Sequence, residues 1–119
     1  MATSAFNLGG VSRIKTLTLL GESNIGDNGI ISVTAPKTGT YLAVERFGPI
    51  DSYYPGKEKL EIDSGTLLFS DCMQLVAYNV NNYCQIYLVS ASAGEKITLR
   101  NAGWTVKSNQ LTVRIYSFN

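Results

Sequence analysis

Apolar residues recur at every second position along most of this chain and almost nowhere at the three-to-four spacing of a helix. A period of two places successive side chains on opposite faces of an extended strand, so burial of one row dictates a sheet. The segments RIKTLTLL (13–20), GIISVT (29–34), TYLAVERF (40–47), EKLEID (58–63), TLLFS (66–70), CMQLVAYNV (72–80), YCQIYLVSA (83–91), EKITLR (95–100) and QLTVRIYSF (110–118) all read as strands rich in Val, Ile, Thr, Tyr or Leu. Between them, Ile25–Gly29, Ala35–Gly39, Ser92–Gly94 and Asn101–Gly103 supply the Gly, Pro and Asn that chain reversals need. The expected fold is all-β, an antiparallel sandwich of eight to nine short strands. At 119 residues, with neither an internal repeat nor a linker, residues 11–119 form one domain and residues 1–10 an arm ahead of it.

The alternation also assigns faces. Leu60 and Ile62 point one way and Lys59, Glu61 and Asp63 the other, while Ile97 and Leu99 point inward. In the last strand Leu111, Val113 and Ile115 form the inward row, and Thr112, Arg114, Tyr116 and Phe118 the outward one. That outward row is not a polar row. Tyr83, Tyr87 and Val89, which share a face with Gln85, are read as part of the same covered outer surface. Strands with two apolar faces in a small β-domain signal a second subunit. Tyr83, Tyr87, Val89, Tyr116 and Phe118 are therefore the expected interface, and the last strand lies centrally in its sheet.

Cys72 and Cys84 flank a hairpin. A two-residue turn at Asn81-Asn82 pairs Val80 with Tyr83 and sets Cys72 opposite Ala91. At ~3.4 Å per residue the sulfurs are then about 24 Å apart, which forbids a disulfide. Both are expected to remain thiols, as small buried hydrophobes.

The charge and residue inventory removes several functions. Ten basic and nine acidic residues leave a net charge of +1, far from the excess that phosphate binding requires, so no nucleic-acid partner is expected. Apolar runs of a few residues cannot span a bilayer as a helix, and MATSAFNLGG lacks the basic and apolar blocks of an export signal. The chain is thus expected to be made in the cytoplasm and not to insert into membranes. It contains no histidine, which removes Ser-His-Asp and Cys-His nucleophile systems and imidazole zinc sites. Glu58, Glu61 and Asp63 are close in sequence, but with Lys59 they read as a mixed-sign solvated face rather than a catalytic pair. Asp27-Asn28-Gly29 lacks the spaced oxygen ligands of a calcium loop, and Gly9-Gly10 precedes a strand rather than a helix. The expectation is no enzyme, no metal and no cofactor.

Three features remain as candidate contacts. Tyr53 and Tyr54, side by side in the loop GPIDSYYPGK, cannot both bury on one side, so at least one ring is displayed for a sugar or a protein partner. Trp104 lies between two expected strands, and Phe6 and Leu8 punctuate a short uncharged arm able to dock on a neighbour.

Several of these residues also carry a resemblance. ISVTAPKTGTYLAV (31–44), SAGEKITLRNAGW (92–104) and NQLTVRIYSF (109–118) resemble the frame of the complement-globular-head and tumour-necrosis-factor jelly rolls and their bacterial and phage relatives. The matching elements are a Gly-x-Tyr strand after a proline turn (Pro36, Gly39, Tyr41), an Ala-Gly-Glu turn opening a strand that ends near an asparagine (Ala93, Gly94, Glu95, Asn101), and a closing Leu-x-Val strand (Leu111, Val113). The segment 48–57 has no counterpart among these motifs. The resemblance implies a jelly-roll sandwich, a homotrimer packed through aromatic and aliphatic residues of its inner sheet, and a structural role on a phage virion as capsid decoration or fibre head. Partners would then be sister copies and other virion proteins at the virion surface, with a host glycan or receptor also in reach. A lectin-like module using Tyr53, Tyr54 and Trp104 is the alternative.

Overall fold

The computed structural model describes residues 16–26, 29–50, 60–77, 80–101 and 110–119. These form eight strands: β1 (Leu17–Asn24), β2 (Ile30–Thr34), β3 (Gly39–Ile50), β4 (Glu61–Ser64), β5 (Thr66–Ala77), β6 (Val80–Ala91), β7 (Lys96–Arg100) and β8 (Leu111–Phe118). They build two antiparallel sheets, a five-stranded one in the order β1-β8-β3-β6-β5 and a three-stranded one in the order β2-β7-β4. The expected sandwich is present, and β8 lies inside the larger sheet between β1 and β3. The two segments read separately as 66–70 and 72–80 are one strand, because Asp71 stays in the ladder opposite Ile86.

The core forms where the two sheets face each other. Leu111, Val113 and Ile115 of β8, Tyr41 and Ala43 of β3 and Tyr87 and Val89 of β6 meet Ile31, Leu60, Ile97 and Leu99 from the smaller sheet, all buried. Each fully buried aliphatic or aromatic side chain contributes roughly 1.5–3 kcal/mol, so these paired rows are the main reason the layers stay together. In β1 a bulge at Leu20 turns that side chain toward the core, while Leu17 and Leu19 stay opposite Phe118 and Tyr116 on the outer face.

The connections are tied to one another across the sheets. Gly94 takes a φ of 85° between β6 and β7. The Ser92 N–H donates to Glu95 Oε1, Ala93 N–H to Thr38 Oγ1 and Gly94 N–H to the Ala35 carbonyl, which binds this turn to the one joining β2 and β3. Tyr41 Oη donates to the Lys37 carbonyl in the same turn. At the other end Asn101, buried beyond β7, donates from Nδ2 to the Gly26 carbonyl at 2.8 Å and from its backbone to Gly29. An asparagine there satisfies a carbonyl of the β1–β2 turn that would otherwise face the interior.

Gly65 is the corner where the chain passes from the small sheet to the large one. It has a φ of 91°, and a Cβ on it would lie 2.7 Å from Val89 Cγ1. Both the backbone conformation and the space exclude a side chain. Gly65→Ala is expected to lower stability by about 2–3 kcal/mol, read as a fall in melting temperature of roughly 6–15 °C. A melting temperature within a degree of the native chain would show that this corner relaxes freely.

The β5–β6 register differs from the sequence expectation. Ala77 pairs with Val80, Met73 with Cys84 and Cys72 with Gln85, six residues away from the register that an Asn81-Asn82 turn would give. Cys72 and Cys84 are consequently on adjacent strands, yet on opposite faces of the sheet. Neither is in a disulfide, and both are exposed rather than buried. Their thiols are blocked from each other by the sheet itself and not by distance along it. Alkylation with iodoacetamide of the unreduced protein in denaturant is expected to add two labels per chain; an unlabelled mass two hydrogens short would reveal a bond between them.

Candidate interaction surface

The outer face of the five-stranded sheet can be built row by row from the ladders. Directly paired residues in antiparallel strands share a face. Leu19 pairs with Tyr116, Tyr116 with Leu42, Leu42 with Leu88 and Leu88 with Phe69. One uninterrupted apolar row thus crosses all five strands, roughly 19 Å at ~4.8 Å per strand. Leu17 and Phe118 extend it on one side, Val44 and Ile86 on the other. Leu19 and Phe69, at the two ends, are 50% and 51% exposed, and Met73 further along β5 is 62% exposed. Tyr116, Phe118, Leu42, Val44, Ile86 and Leu88 are half-buried by their own neighbours.

Polar groups interrupt this face in a pattern. Arg114 pairs with Glu22 across β1 and β8, a contact that raises the arginine pKa chiefly through its hydrogen bond to that carboxylate. Val44, Arg46, Thr112 and Arg114 enclose a depression of about 120 Å³ where β3 and β8 adjoin. Asp71 sits on β5 between Phe69 and Met73, and its Oδ1 accepts the Cys72 N–H.

The inner face corrects part of the expected interface. Tyr83, Tyr87 and Val89 point into the chain's own core and are 3%, 0% and 0% exposed. No second copy can reach them. Within this inward row Tyr87 finds polar partners: its Oη donates to Glu45 Oε1 at 2.6 Å and accepts the Leu60 N–H at 2.8 Å, with Gln85 buried opposite Glu45. Burial, followed by the neighbouring Glu45 carboxylate, pushes the Tyr87 phenol far above its ordinary range. Tyr116 and Phe118 do lie on the outer face, half-buried. Tyr53, Tyr54, Trp104, Phe6 and Leu8 lie outside the described residues.

Compared with known proteins, the chain matches no family model, no curated protein and no solved structure.

The residues that sequence reading missed on the outer face are Leu17, Leu19, Leu42, Val44, Phe69, Ile86, Leu88 and Met73. The signal was present in TYLAVERF and YCQIYLVSA, where both parities are apolar. Alternation alone cannot say which of two apolar rows faces the other sheet.

On the small sheet the chemistry is different. Arg100 reaches Glu61 at 2.7 Å and Asp63 at 2.7 Å, so these carboxylates are clamped by a guanidinium on the solvent face. The hydrogen bond from Arg100 holds the Asp63 carboxyl below its ordinary value of 3.8. A carboxylate whose folded pKa is depressed adds stability above its unfolded pKa and loses it as pH falls through the folded one. Because the group is exposed, a small effect is expected: acid titration of the melting temperature should show the native chain losing slightly more than Asp63→Asn below about pH 4. Among the described residues, no three His, Cys, Asp or Glu side chains are grouped to hold a metal ion.

Proposed function

We propose that this chain is a non-enzymatic structural subunit that assembles through the outer face of its five-stranded sheet, as a homotrimer, and forms a surface component of a larger particle. The observation that carries the reading is the apolar row Leu19–Tyr116–Leu42–Leu88–Phe69, which runs the full width of the sheet. Monomeric proteins rarely expose contiguous apolar patches beyond about 300–600 Å², and a sheet face apolar from edge to edge is what a subunit interface requires. Sister copies fit as occupants because the same face carries both the arginines and the acid needed to match charge with charge.

The threefold state and the jelly-roll connectivity come from the resemblance to tumour-necrosis-factor and complement-head jelly rolls. Two features support it. Successive strands lie in alternate sheets at every step except β5 to β6, an alternation compatible with a double Greek key, and the closing strand lies within the larger sheet. Placement on a phage virion, as capsid decoration or fibre head, follows from the same resemblance.

Light scattering on the chromatographed protein at micromolar concentration tests the reading. A species of about 39 kDa, three chains of 12.9 kDa, is expected. A single 12.9 kDa species up to 100 µM would overturn it.

A further inference from the structure

Asp71 and Arg46 are both exposed, and each lies among apolar residues that a partner would cover. On β5, Phe69, Asp71 and Met73 occupy successive positions of one face, opposite Leu88, Ile86 and Cys84. Anything that covers the two exposed hydrophobes covers the carboxylate between them. On β3, Leu42, Val44 and Arg46 are likewise successive, and Arg46 and Arg114 stand at opposite corners of the depression lined by Val44 and Thr112.

Neither Asp71 nor Arg46 makes an ion pair among the described residues, whereas Arg114 holds Glu22. A charge left unpaired in a dry interface costs several kcal/mol. The two cannot pair within one chain: they lie two strands and two residues apart, about 12 Å from the spacings of a sheet, beyond the ~8 Å screening length at physiological salt.

Resting on the assembly reading above, we propose that Asp71 of one copy seats in the depression between Arg46 and Arg114 of the next copy. Each chain thus carries both halves of the contact, the Asp71 carboxylate and the Arg46–Arg114 receptor. A contact of this kind has two unlike sides, so successive copies join head to tail and close into a ring when the rotation allows it. The depression has an apolar floor in Val44 and a hydroxyl in Thr112, which already donates to Asn24 at 2.8 Å. Among the described residues lining it, Arg46 is the cation that holds no carboxylate. Arg46 is therefore the principal partner and Arg114 a shared one.

Three variants test this: Asp71→Arg, Arg46→Asp, and the two combined in one chain, each followed by sedimentation equilibrium. Both sites are exposed, and a circular dichroism melt of each variant is the check that it remains folded. Each single reversal is expected to raise the dissociation constant of the assembly about tenfold or more, and the double variant to return it to within about threefold of the native chain, as coupling between close interfacial charges predicts. Single reversals without effect, or a double variant no better than the weaker single, would overturn the pairing while leaving the assembly in place. A native chain that sediments as a monomer would remove both.

Discussion

Leu88→Lys is expected to convert the assembly into single chains of 12.9 kDa while leaving the melting temperature within a few degrees of a dissociated native chain. Leu88 is the pivot of the outer row, flanked directly by Leu42 on β3 and Phe69 on β5, and it is only half-buried when the chain stands alone. In a lone chain the lysine stem can lie on those neighbours with its ammonium in water. In the assembly the same ammonium would be enclosed by two apolar faces, at a cost of several kcal/mol, more than the surplus of most subunit contacts. Thr34→Lys is the matched control. It adds the same charge on the solvent side of the small sheet, where no covered face is proposed, and should leave the mass unchanged. Measuring both by light scattering across a dilution series separates an interface effect from a general effect of charge. If Leu88→Lys and the native chain show the same mass at every concentration, the outer face is not where copies meet.

The physical reasons for success and failure in reading this fold differ from strand to strand. On β4, β7 and β8 only one parity is consistently apolar, so Leu60, Ile62, Ile97, Leu99, Leu111, Val113 and Ile115 could be assigned inward from the string alone, and all are buried or half-buried. The turn residues were equally legible, since Gly94 needs a positive φ and Asn101 and Tyr41 close the turns they adjoin. On β6 both parities are apolar. The deciding term there is the buried polar set of Glu45, Gln85 and Tyr87, whose partners lie on β3 and at the start of β4, far away in sequence. No local pattern contains that information.

The hairpin register failed for a related reason. Asn81-Asn82 is a strong local turn signal, but a turn there would have left Thr66–Asp71 beyond the end of β6 with no ladder partner. The observed register pairs Thr66 with Ser90 and runs to Ala77 opposite Val80, so eleven pairs join β5 to β6, with Leu68 bulged out of the ladder. Satisfying a long run of backbone groups outweighs the preference of two residues. Because the slip is an even number of residues, the inward and outward rows of each strand kept their identity. The candidate surface was thus visible in outline through Tyr116 and Phe118, and its breadth across five strands became visible only once the register was known.

Removing a single oxygen from the core is expected to have the other large effect. Tyr87→Phe keeps the ring between the sheets but deletes the hydroxyl that donates to Glu45 Oε1 and accepts the Leu60 N–H. A hydrogen bond to a charged group contributes about 1.5–3 kcal/mol, and a buried N–H deprived of its acceptor costs about 1–3 kcal/mol. Together they predict a loss of roughly 3–5 kcal/mol, measurable as a shift of the urea midpoint at an unchanged slope. The phenol also links stability to alkali. Burial and Glu45 raise its folded pKa above the ordinary value of 10, so the proton is held more tightly in the folded chain than in the unfolded one. The resulting stability is fully present below pH 10 and declines as pH rises beyond it, because the unfolded tyrosine ionises while the buried one does not. Between about pH 9 and pH 11.5 the native chain should therefore lose more stability than Tyr87→Phe, and the gap between the two should narrow. A gap that stays constant over that range would mean that Tyr87 ionises as readily in the folded core as in the open chain, and that its two hydrogen bonds do not bind the large sheet to the entry of β4.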